Sequence, residues 1–503
     1  MIEAAFSQLR FALSLVFGTR FSTRSLDRLV AALCETKREF GAGALQKDPL
    51  LDGPELSDET RQQVQWQRFR TQARRAARDT EYYRSLFQQL GLDPRHLRPT
   101  DLSQIPLTPK AAIRDNPDAF VCQNARPFLH ATTTGTTGKP TSVYFSQHEL
   151  QVYFALTAIA SLYSGEITEE DIIQISTTAR GTLGNVCVAG ACAHLGAITS
   201  LVGVVEPAHS LAQLAEKRRL PGKKPGTSIL YTYPSYLGEL VEEGIARGYR
   251  PADFALERIL VGGELVTQGL KRRCKQLFGE VTVSEGYGMT EIWPFGGRHC
   301  EENHLHFEAS QGLLEVYNPQ TATLAKPGEF GSLVATPFPP YRETTLILRF
   351  NTEDMVQALP TTPTCHLRHM PATGQLLGKQ RYAVQHEQGW TFQRQVAEAL
   401  EALEELPLPA RYGFWASEDS KGVEVEVLVP HITSEIRRKI ETSLEEWNVP
   451  LHTLHLLTHK QDLRQPCPLR GDLREQMFEN TNSLTLRPTV PADASLQPID
   501  QHH

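Results

Sequence analysis

The feature that most constrains the fold is an alternation of β-rich and helical runs between about residue 130 and residue 360. Candidate strands cover 171–176, 229–233, 258–262 and 281–285, and candidate helices such as 235–247 and 266–278 separate them. This βαβα rhythm is typical of a layered α/β domain. The rhythm weakens after Gly331, where three prolines follow. We therefore predict a large N-terminal α/β domain over residues 96–377.

A different order begins near Gly378. It predicts strand, helix, strand, strand, helix and strand, at about 377–384, 391–405, 411–417, 422–430, 434–447 and 452–458. This is the split βαβ arrangement of a small α+β domain of the ferredoxin-like type. Residues 57–90 repeat apolar side chains near the helical period. We predict a helical N-terminal extension over 1–95, a small mobile C-terminal domain over 378–480 and a disordered tail over 481–503.

The composition excludes several classes of protein. Of the 503 residues, 40% are hydrophobic and 22% are charged, which is typical of a globular chain with a large core. The net charge of −7 provides no cationic field for a nucleic acid. The apolar run 11–18 has about half of the roughly 20 residues that a membrane span needs, and no signal-peptide cleavage site follows it. Eight irregularly spaced cysteines indicate reduced thiols, so we expect a cytosolic protein with no nucleic-acid or membrane partner.

The most informative segment, residues 128–146, reads FLHATTTGTTGKPTSVYFS between two β-like runs. Glycines let the backbone approach a ligand, threonine hydroxyls donate hydrogen bonds, and a lysine adds a point charge. The segment therefore predicts a polyphosphate site formed by Thr133, Thr134, Gly135, Thr136, Thr137, Gly138 and Lys139. It is not a Walker loop, because Pro140 follows the lysine and a strand comes next. A Thr/Gly-rich hairpin turn is the alternative interpretation.

This string resembles the phosphate loop of the acyl-adenylate-forming superfamily, and the chain is most similar to its phenylacetate–CoA ligase family. Residues 82–84 (YYR) and 105–110 (IPLTPK) are similar to that family's stretch ahead of the loop. The resemblance spans about 60–480 and implies an AMP-forming ligase that uses ATP and Mg²⁺ to activate a carboxylic acid. It further implies acyl transfer to the thiol of CoA or of a carrier-protein phosphopantetheine, and it leaves a homodimer open.

The resemblance also assigns roles in the nucleotide site. Residues 285–291 read EGYGMTE, and the family's pattern places Tyr287 on adenine, Thr290 on the α-phosphate and Glu291 on Mg²⁺. A hydroxyl and a hard carboxylate oxygen suit phosphate and Mg²⁺ in their own right. Asp354 is similar in position to the aspartate that holds both ribose hydroxyls. The remaining residues implied at this site are Gly262, Gly263, Glu264, Gly288, Met289 and Lys379, and the implied catalytic set is Lys139, Thr290 and Glu291.

Two further sites are expected with alternatives left open. Residues 231–236 (YTYPSY) are similar to the family's acid-binding segment, and Tyr231, Tyr233 and Tyr236 would suit an aromatic or flat acid, although core packing explains them nearly as well. Two short Cys/His clusters, 300–306 and 365–369, have the ligands that tetrahedral zinc prefers. The zinc set that we expect is Cys300, His306, Cys365 and His366. Incidental surface histidines and a buried thiol are the alternative.

The last third departs from the family's pattern. The hinge motif Gly-Arg-x-Asp-Asp reads GKQRY at 378–382, and the family's terminal Gly-Lys aligns with Gly471-Asp472. An aspartate cannot stabilise the negative charge that develops during adenylation. A cation from Arg470, Arg474, Lys460 or a partner would have to replace the lysine. Two other hypotheses follow: an adenylating enzyme with another acid or acceptor, such as nitrite or an amine, or a nucleotide-binding scaffold that has lost catalysis.

Overall fold

The computed structural model describes residues 2–41, 57–133, 140–177 and 182–470, together with residues 43 and 45. Its centre is an eight-stranded sheet that contains all four strands predicted from the βαβα rhythm. Five strands pair in parallel, in the spatial order Ile198–Leu201, Ile172–Ser176, Ile229–Thr232, Arg258–Gly262 and Thr282–Tyr287. Three short antiparallel strands extend this sheet, Gly297–His299, Leu305–Phe307 and Ala372–Thr373. The mixed α/β fold predicted from the sequence is confirmed.

Helices cover both faces of this sheet because its strands are apolar on both sides. Gln147–Ser164 and Thr182–Leu195 pack on one face, in a core that includes Ile173 and Ile229. The helices on the other face, which share a core with Leu230 and Ile259, are Pro207–Ala215, Pro234–Ala246 and Gln268–Phe278. Parallel strands between two helical layers leave their carboxyl ends at one open edge, where ligands bind in such sheets.

A second, antiparallel sheet lies beside the first and was not foreseen from the sequence. It has five strands, in the order Thr323–Leu324, Gly312–Asn318, Phe330–Pro337, Phe350–Gln357 and Gly378–Lys379. A separate hairpin pairs Pro127–Thr132 with Ser142–Ser146. A capping box follows the hairpin: Ser146 Oγ accepts the amide of Glu149 at 3.1 Å, and the Glu149 carboxylate accepts the amide of Ser146 at 2.7 Å.

The N-terminal part is helical, as the apolar repeat predicts. The helix expected over 57–90 is divided in two, because the Thr80 side chain caps a new start by accepting the amide of Tyr83 at 3.4 Å. The α-helices ahead of the hairpin are Ile2–Phe17, Thr23–Phe40, Asp58–Asp79, Glu81–Leu90 and Lys110–Asp115, with 3₁₀ turns at Pro99–Gln104 and Pro117–Phe120. In the segments that the structure describes, no helix is long and apolar enough to cross a bilayer.

The C-terminal part has its own core around a three-stranded sheet. Its strands are Tyr412–Ala416, Val423–Leu428 and Leu451–Leu457, and its helices are Gln393–Glu401 and Ser434–Glu446. A two-stranded ribbon, Val384–His386 with Gly389–Thr391, precedes them. The strand predicted at about 377–384 does not join this sheet. Gly378 and Lys379 pair instead with Met355 and Asp354 of the five-stranded sheet.

Buried polar contacts hold the C-terminal part against the large domain. The amide of Gln268 donates to the Glu398 carboxylate at 2.8 Å, and Arg394 lies 3.7 Å from Glu285 and 3.3 Å from Glu398. Burial raises the pKa of Glu401 in the same interface to about 7. These contacts place the end of the described chain, up to Arg470, over the open edge of the central sheet.

Candidate active site

A cleft of 2660 Å³ runs along the carboxyl ends of the central strands, between the large domain and the C-terminal part. Ligands of open α/β sheets bind at this edge. The cleft brings together most of the residues that the sequence singled out. Those that line it are Thr133, Tyr231, Tyr233, Gly262, Gly263, Glu264, Tyr287, Gly288, Met289, Thr290, Glu291, Asp354 and Lys379.

The predicted phosphate loop is described only at its two ends. Thr134, Gly135, Thr136, Thr137, Gly138 and Lys139 lie outside the described residues. On either side, the amide of Thr133 donates to the carbonyl of Thr141, and the amide of Thr141 donates to Thr133 Oγ1, each at 3.0 Å. Thr133 and Thr141 both line the cleft, so the two described residues that flank the loop lie at its rim.

Glu291 combines full burial with very few partners. Its side chain is inaccessible to solvent, and Lys110 Nζ lies 3.2 Å from Oε1. Neither carboxylate oxygen has a hydrogen-bond partner among the described residues. A buried carboxylate is costly unless a cation compensates it, and Mg²⁺ prefers carboxylate oxygens. Glu291 therefore fits a divalent cation. The contact of Lys110 with Glu291 could not be predicted from the sequence, because Lys110 is the first residue of a short helix far from Glu291 in the chain.

Asp354 has two cleft residues as its partners. Tyr287 Oη donates to Asp354 Oδ2 at 3.0 Å, and Lys379 Nζ lies 2.9 Å from Oδ1. Lys379 is held there because it pairs with Asp354 across neighbouring strands and donates to the carbonyl of Thr352 at 3.1 Å. Burial, followed by the charge of Asp354, raises the pKa of Tyr287 well above its ordinary value. An aromatic ring, a carboxylate and an ammonium group thus meet at one point of the cleft.

Arg470 reaches this edge from the C-terminal part. Its backbone amide donates to Glu264, whose other carboxylate oxygen accepts the amide of Ser235 at 2.8 Å. Its guanidinium lies over the Tyr233 ring, 5.0 Å from the centroid. Gly263 has a φ of +87°, and a Cβ there would lie 2.8 Å from Arg470 Cζ. None of the carboxylates in the described part of the chain forms an ion pair with this guanidinium, so it remains available for an anion.

The three tyrosines proposed for the acid do not act together. Tyr231 and Tyr233 line the cleft, and burial raises the pKa of Tyr231. Tyr236 lies in the core, where it is wholly buried and its hydroxyl donates to the carbonyl of Val205 at 2.7 Å. The helix that begins at Pro234 turns Tyr236 away from the strand end. Tyr236 is therefore a core residue, as the core-packing alternative predicts, and it does not line the cleft.

A Cys/His cluster lies beside the cleft, with one member different from the expected set. One potential ligand atom from each of Cys300, His304, His306 and Cys365 lies within 4.8 Å of those of the others. His304 and His306 share a side because alternate residues of an extended segment do so. His366 is excluded from this group, because its ring is exposed and contacts Glu301 at 2.6 Å. Two thiols and two imidazoles are a ligand set that suits tetrahedral zinc.

The sequence matches one family model and is similar to several curated enzymes. Residues 55–334 match the family described as AMP-binding enzyme. The phenylacetate–coenzyme A ligase of Thermus thermophilus is 27% identical over 313 residues, which cover 59% of this chain and 65% of that enzyme. The enzyme of the same name from Pseudomonas putida is 28% identical over 345 residues, covering 66% of this chain and 73% of that enzyme.

Solved structures show the same fold. A 2-hydroxyisobutyryl-CoA ligase in the postadenylation state, in complex with 2-HIB-AMP, superposes with a TM-score of 0.67. The match covers 85% of this chain and 93% of that chain, at 16% sequence identity. The same ligase with R3-HIB-AMP gives a TM-score of 0.66 at 15% identity. At this level of identity the likeness is one of fold.

Proposed function

This chain belongs to the AMP-binding enzyme family, whose model matches more than half of it, and on that premise we propose that it is an ATP-dependent, AMP-forming carboxylic acid–CoA ligase. The observation that carries the proposal is Glu291, a buried carboxylate in the lining of the cleft, for which Lys110 is the one cationic partner within ion-pair distance among the described residues. Asp354 and Tyr287, in the same cleft, offer the carboxylate and the aromatic ring that a nucleoside requires.

The proposed reaction has two steps. A carboxylate oxygen of the acid attacks the α-phosphorus of ATP, a mixed-anhydride bond forms between the acyl group and AMP, and pyrophosphate leaves as the bond from the α-phosphorus to the bridging oxygen breaks. The thiol of CoA then loses its proton to solvent and attacks the acyl carbonyl. A thioester bond forms, and AMP leaves with the electron pair of the broken carbon–oxygen bond. No side-chain nucleophile is required, so the protein contributes positioning and charge stabilisation.

Different residues of the cleft would bind the nucleotide, the metal ion and the acid. Glu291 would hold Mg²⁺, which when bound neutralises phosphate charge. Thr290 and the loop that ends in Lys139 would bind phosphate, and Asp354 would accept the ribose hydroxyls after Lys379 and Tyr287 move aside. We assign to Arg470 the cationic role near the carboxylate and the α-phosphate, because its guanidinium has no carboxylate partner among the described residues. Tyr231 and Tyr233 favour an aromatic or similarly apolar acid.

ATP–pyrophosphate exchange with a panel of aryl and alkyl acids tests the proposal. We expect exchange that depends on the acid, together with ATP-dependent hydroxamate formation when hydroxylamine is the acceptor. ATP binding without exchange for any acid would contradict it and favour the scaffold hypothesis. The acceptor is identified by adding CoA, a phosphopantetheine carrier or an arylamine together with the acid. In a further reaction, nitrite replaces the acid. A homodimer and a cytosolic location remain predictions.

We further propose that Cys300, His304, His306 and Cys365 hold one structural zinc ion. The purified protein should contain about one zinc per chain by elemental analysis, because two thiolates and two imidazoles complete a tetrahedral site. His304→Ala should lose the metal and unfold at a lower temperature, since metal-binding free energy contributes to folding. His366→Ala is the matched control and should keep both. Zinc loss in His366→Ala but not in His304→Ala would contradict the assignment.

A further inference from the structure

The cleft continues past the nucleotide residues into an apolar extension beside Tyr231. The side chains that face it are half-buried and come from three helices: Phe11 and Leu15, Leu156 and Ile159, and Val188. These side chains pack partly against the core of the adjoining helices and leave the rest of their apolar surface on the cleft, as in sites that bind an apolar ligand. The extension is continuous with the cleft that contains Glu291 and Arg470.

The far wall of the extension is formed by the helix Ile2–Phe17, which precedes the family match at residues 55–334. The helix Thr23–Phe40 buries four side chains in the core shared with the helices Gln147–Ser164 and Thr182–Leu195: Leu26, Leu29, Val30 and Leu33. This fixes the preceding helix Ile2–Phe17. Phe11 stacks on Phe21 at 5.2 Å, and the Arg68 guanidinium donates to the carbonyl of Leu15 at 2.5 Å. These contacts hold the helix Ile2–Phe17 in place along one side of the cleft.

At the inner end, Tyr231 packs against a helix that is rich in small residues. The helix Thr182–Leu195 reads TLGNVCVAGACAHL, and a Cβ on Gly184 would lie 2.8 Å from the Tyr231 hydroxyl. Tyr231, at the end of a central strand, thus marks the junction between the nucleotide end of the cleft and its apolar extension. An acid whose carboxylate lies near Arg470 would point its tail past Tyr231 toward Leu15.

We infer that the acid carries an extended apolar chain, as a medium- or long-chain fatty acid does, and that the N-terminal helices bind its tail. This inference rests on the proposed ligase function and specifies its substrate class. A short or compact acid would leave the extension without apolar contact, whereas each buried methylene gains about 0.8 kcal/mol in transfer free energy.

ATP–pyrophosphate exchange without CoA tests the inference, with acetate, phenylacetate, octanoate and dodecanoate as probes. We expect dodecanoate to give the highest kcat/KM of the four. Leu15→Trp, which fills the extension, should raise KM for dodecanoate about tenfold or more, because several methylenes lose their site. KM for phenylacetate should change less than about twofold. Leu13→Trp is the matched control, because Leu13 lies on the same helix, exposed and outside the cleft.

A second pair of variants, on the helix Thr182–Leu195, provides a test that does not depend on the folding of the N-terminal helix. Val188→Trp should act as Leu15→Trp does, and Val186→Trp, on the same helix but outside the cleft, should not. Exchange with phenylacetate or acetate but with neither fatty acid would overturn the inference and leave the ligase proposal standing. A KM for dodecanoate that is unchanged in both Leu15→Trp and Val188→Trp would also overturn it. Absence of exchange with all four acids would remove the ligase proposal together with the inference.

Discussion

Glu291→Gln is expected to lower acid-dependent ATP–pyrophosphate exchange by about 100-fold or more, since one group that stabilises the transition state typically contributes that much. Glutamine has nearly the same shape as glutamate but no charge, so it binds a divalent cation weakly and leaves Lys110, 3.2 Å away, without its counter-charge. The measurement is the exchange rate over a range of Mg²⁺ concentrations. The half-saturating Mg²⁺ concentration should rise along with the loss of rate.

Glu308→Gln is the matched control for this substitution. Glu308 is an exposed glutamate that also lines the cleft, and it caps the amide of Ser310 at 3.1 Å. It should retain the wild-type rate within about twofold, because exposed charges contribute little. Thermal unfolding of both variants separates a loss of activity from a loss of fold. A Glu291→Gln protein that is folded and exchanges at the wild-type rate would show that this carboxylate does not serve the reaction.

Arg470→Met is expected to lower kcat/KM for adenylation by about 100-fold. The guanidinium over Tyr233 is the cation that we assign in place of the lysine that the resemblance leads one to expect at Asp472. Methionine retains much of the apolar stem of the side chain, removes the charge and leaves the backbone bond to Glu264 in place. The effect should fall on kcat more than on the KM for ATP, because the charge that Arg470 stabilises develops in the transition state.

Two further variants make the test of Arg470 specific. Arg470→Lys should recover part of the rate, since lysine retains the charge but not the planar fork of arginine. Arg464→Met is the control: Arg464 belongs to the same C-terminal segment, but its guanidinium lies over Trp415, 5.6 Å from the ring centroid. Equal losses in Arg464→Met and Arg470→Met would indicate a general effect on the docking of this segment. No loss in Arg470→Met would remove the assignment.

The central sheet and most of the residues that line the cleft could be predicted from the sequence, because their signals are local. Buried parallel strands are short apolar runs, and the segment EGYGMTE places an aromatic, a hydroxyl and a carboxylate within a few residues. The antiparallel sheet was missed because glycine, proline and polar residues interrupt the apolar pattern of its strands, as in Phe330–Pro337 (FGSLVATP) and Phe350–Gln357 (FNTEDMVQ). Tyr236 was misplaced because the direction of a side chain depends on where the helix starts.

Other contacts of the site depend on tertiary structure and leave no trace in a linear pattern. Lys110 meets Glu291 across 181 positions, the difference between the two residue numbers. The sequence analysis expected His366 in the Cys/His cluster, but the structure places His304 there. Side-chain packing, which a linear pattern does not show, decides which imidazole lies near Cys365. Arg470 was one of several candidate cations; its backbone amide donates to Glu264 at the cleft, whereas Arg474 lies outside the described residues. The apolar extension also arises from packing, because its walls come from three separate helices.

The most direct test of the central claim is to identify the product that remains bound before any thiol is added. The full-length protein is incubated with ATP, Mg²⁺ and dodecanoate in the absence of CoA, quenched, and analysed by mass spectrometry. We predict a species with the mass of dodecanoyl-AMP, formed together with pyrophosphate and absent from the Glu291→Gln protein. Intact ATP in every reaction, with dodecanoate and with each acid of the panel, would contradict the proposal that this cleft makes acyl-adenylates.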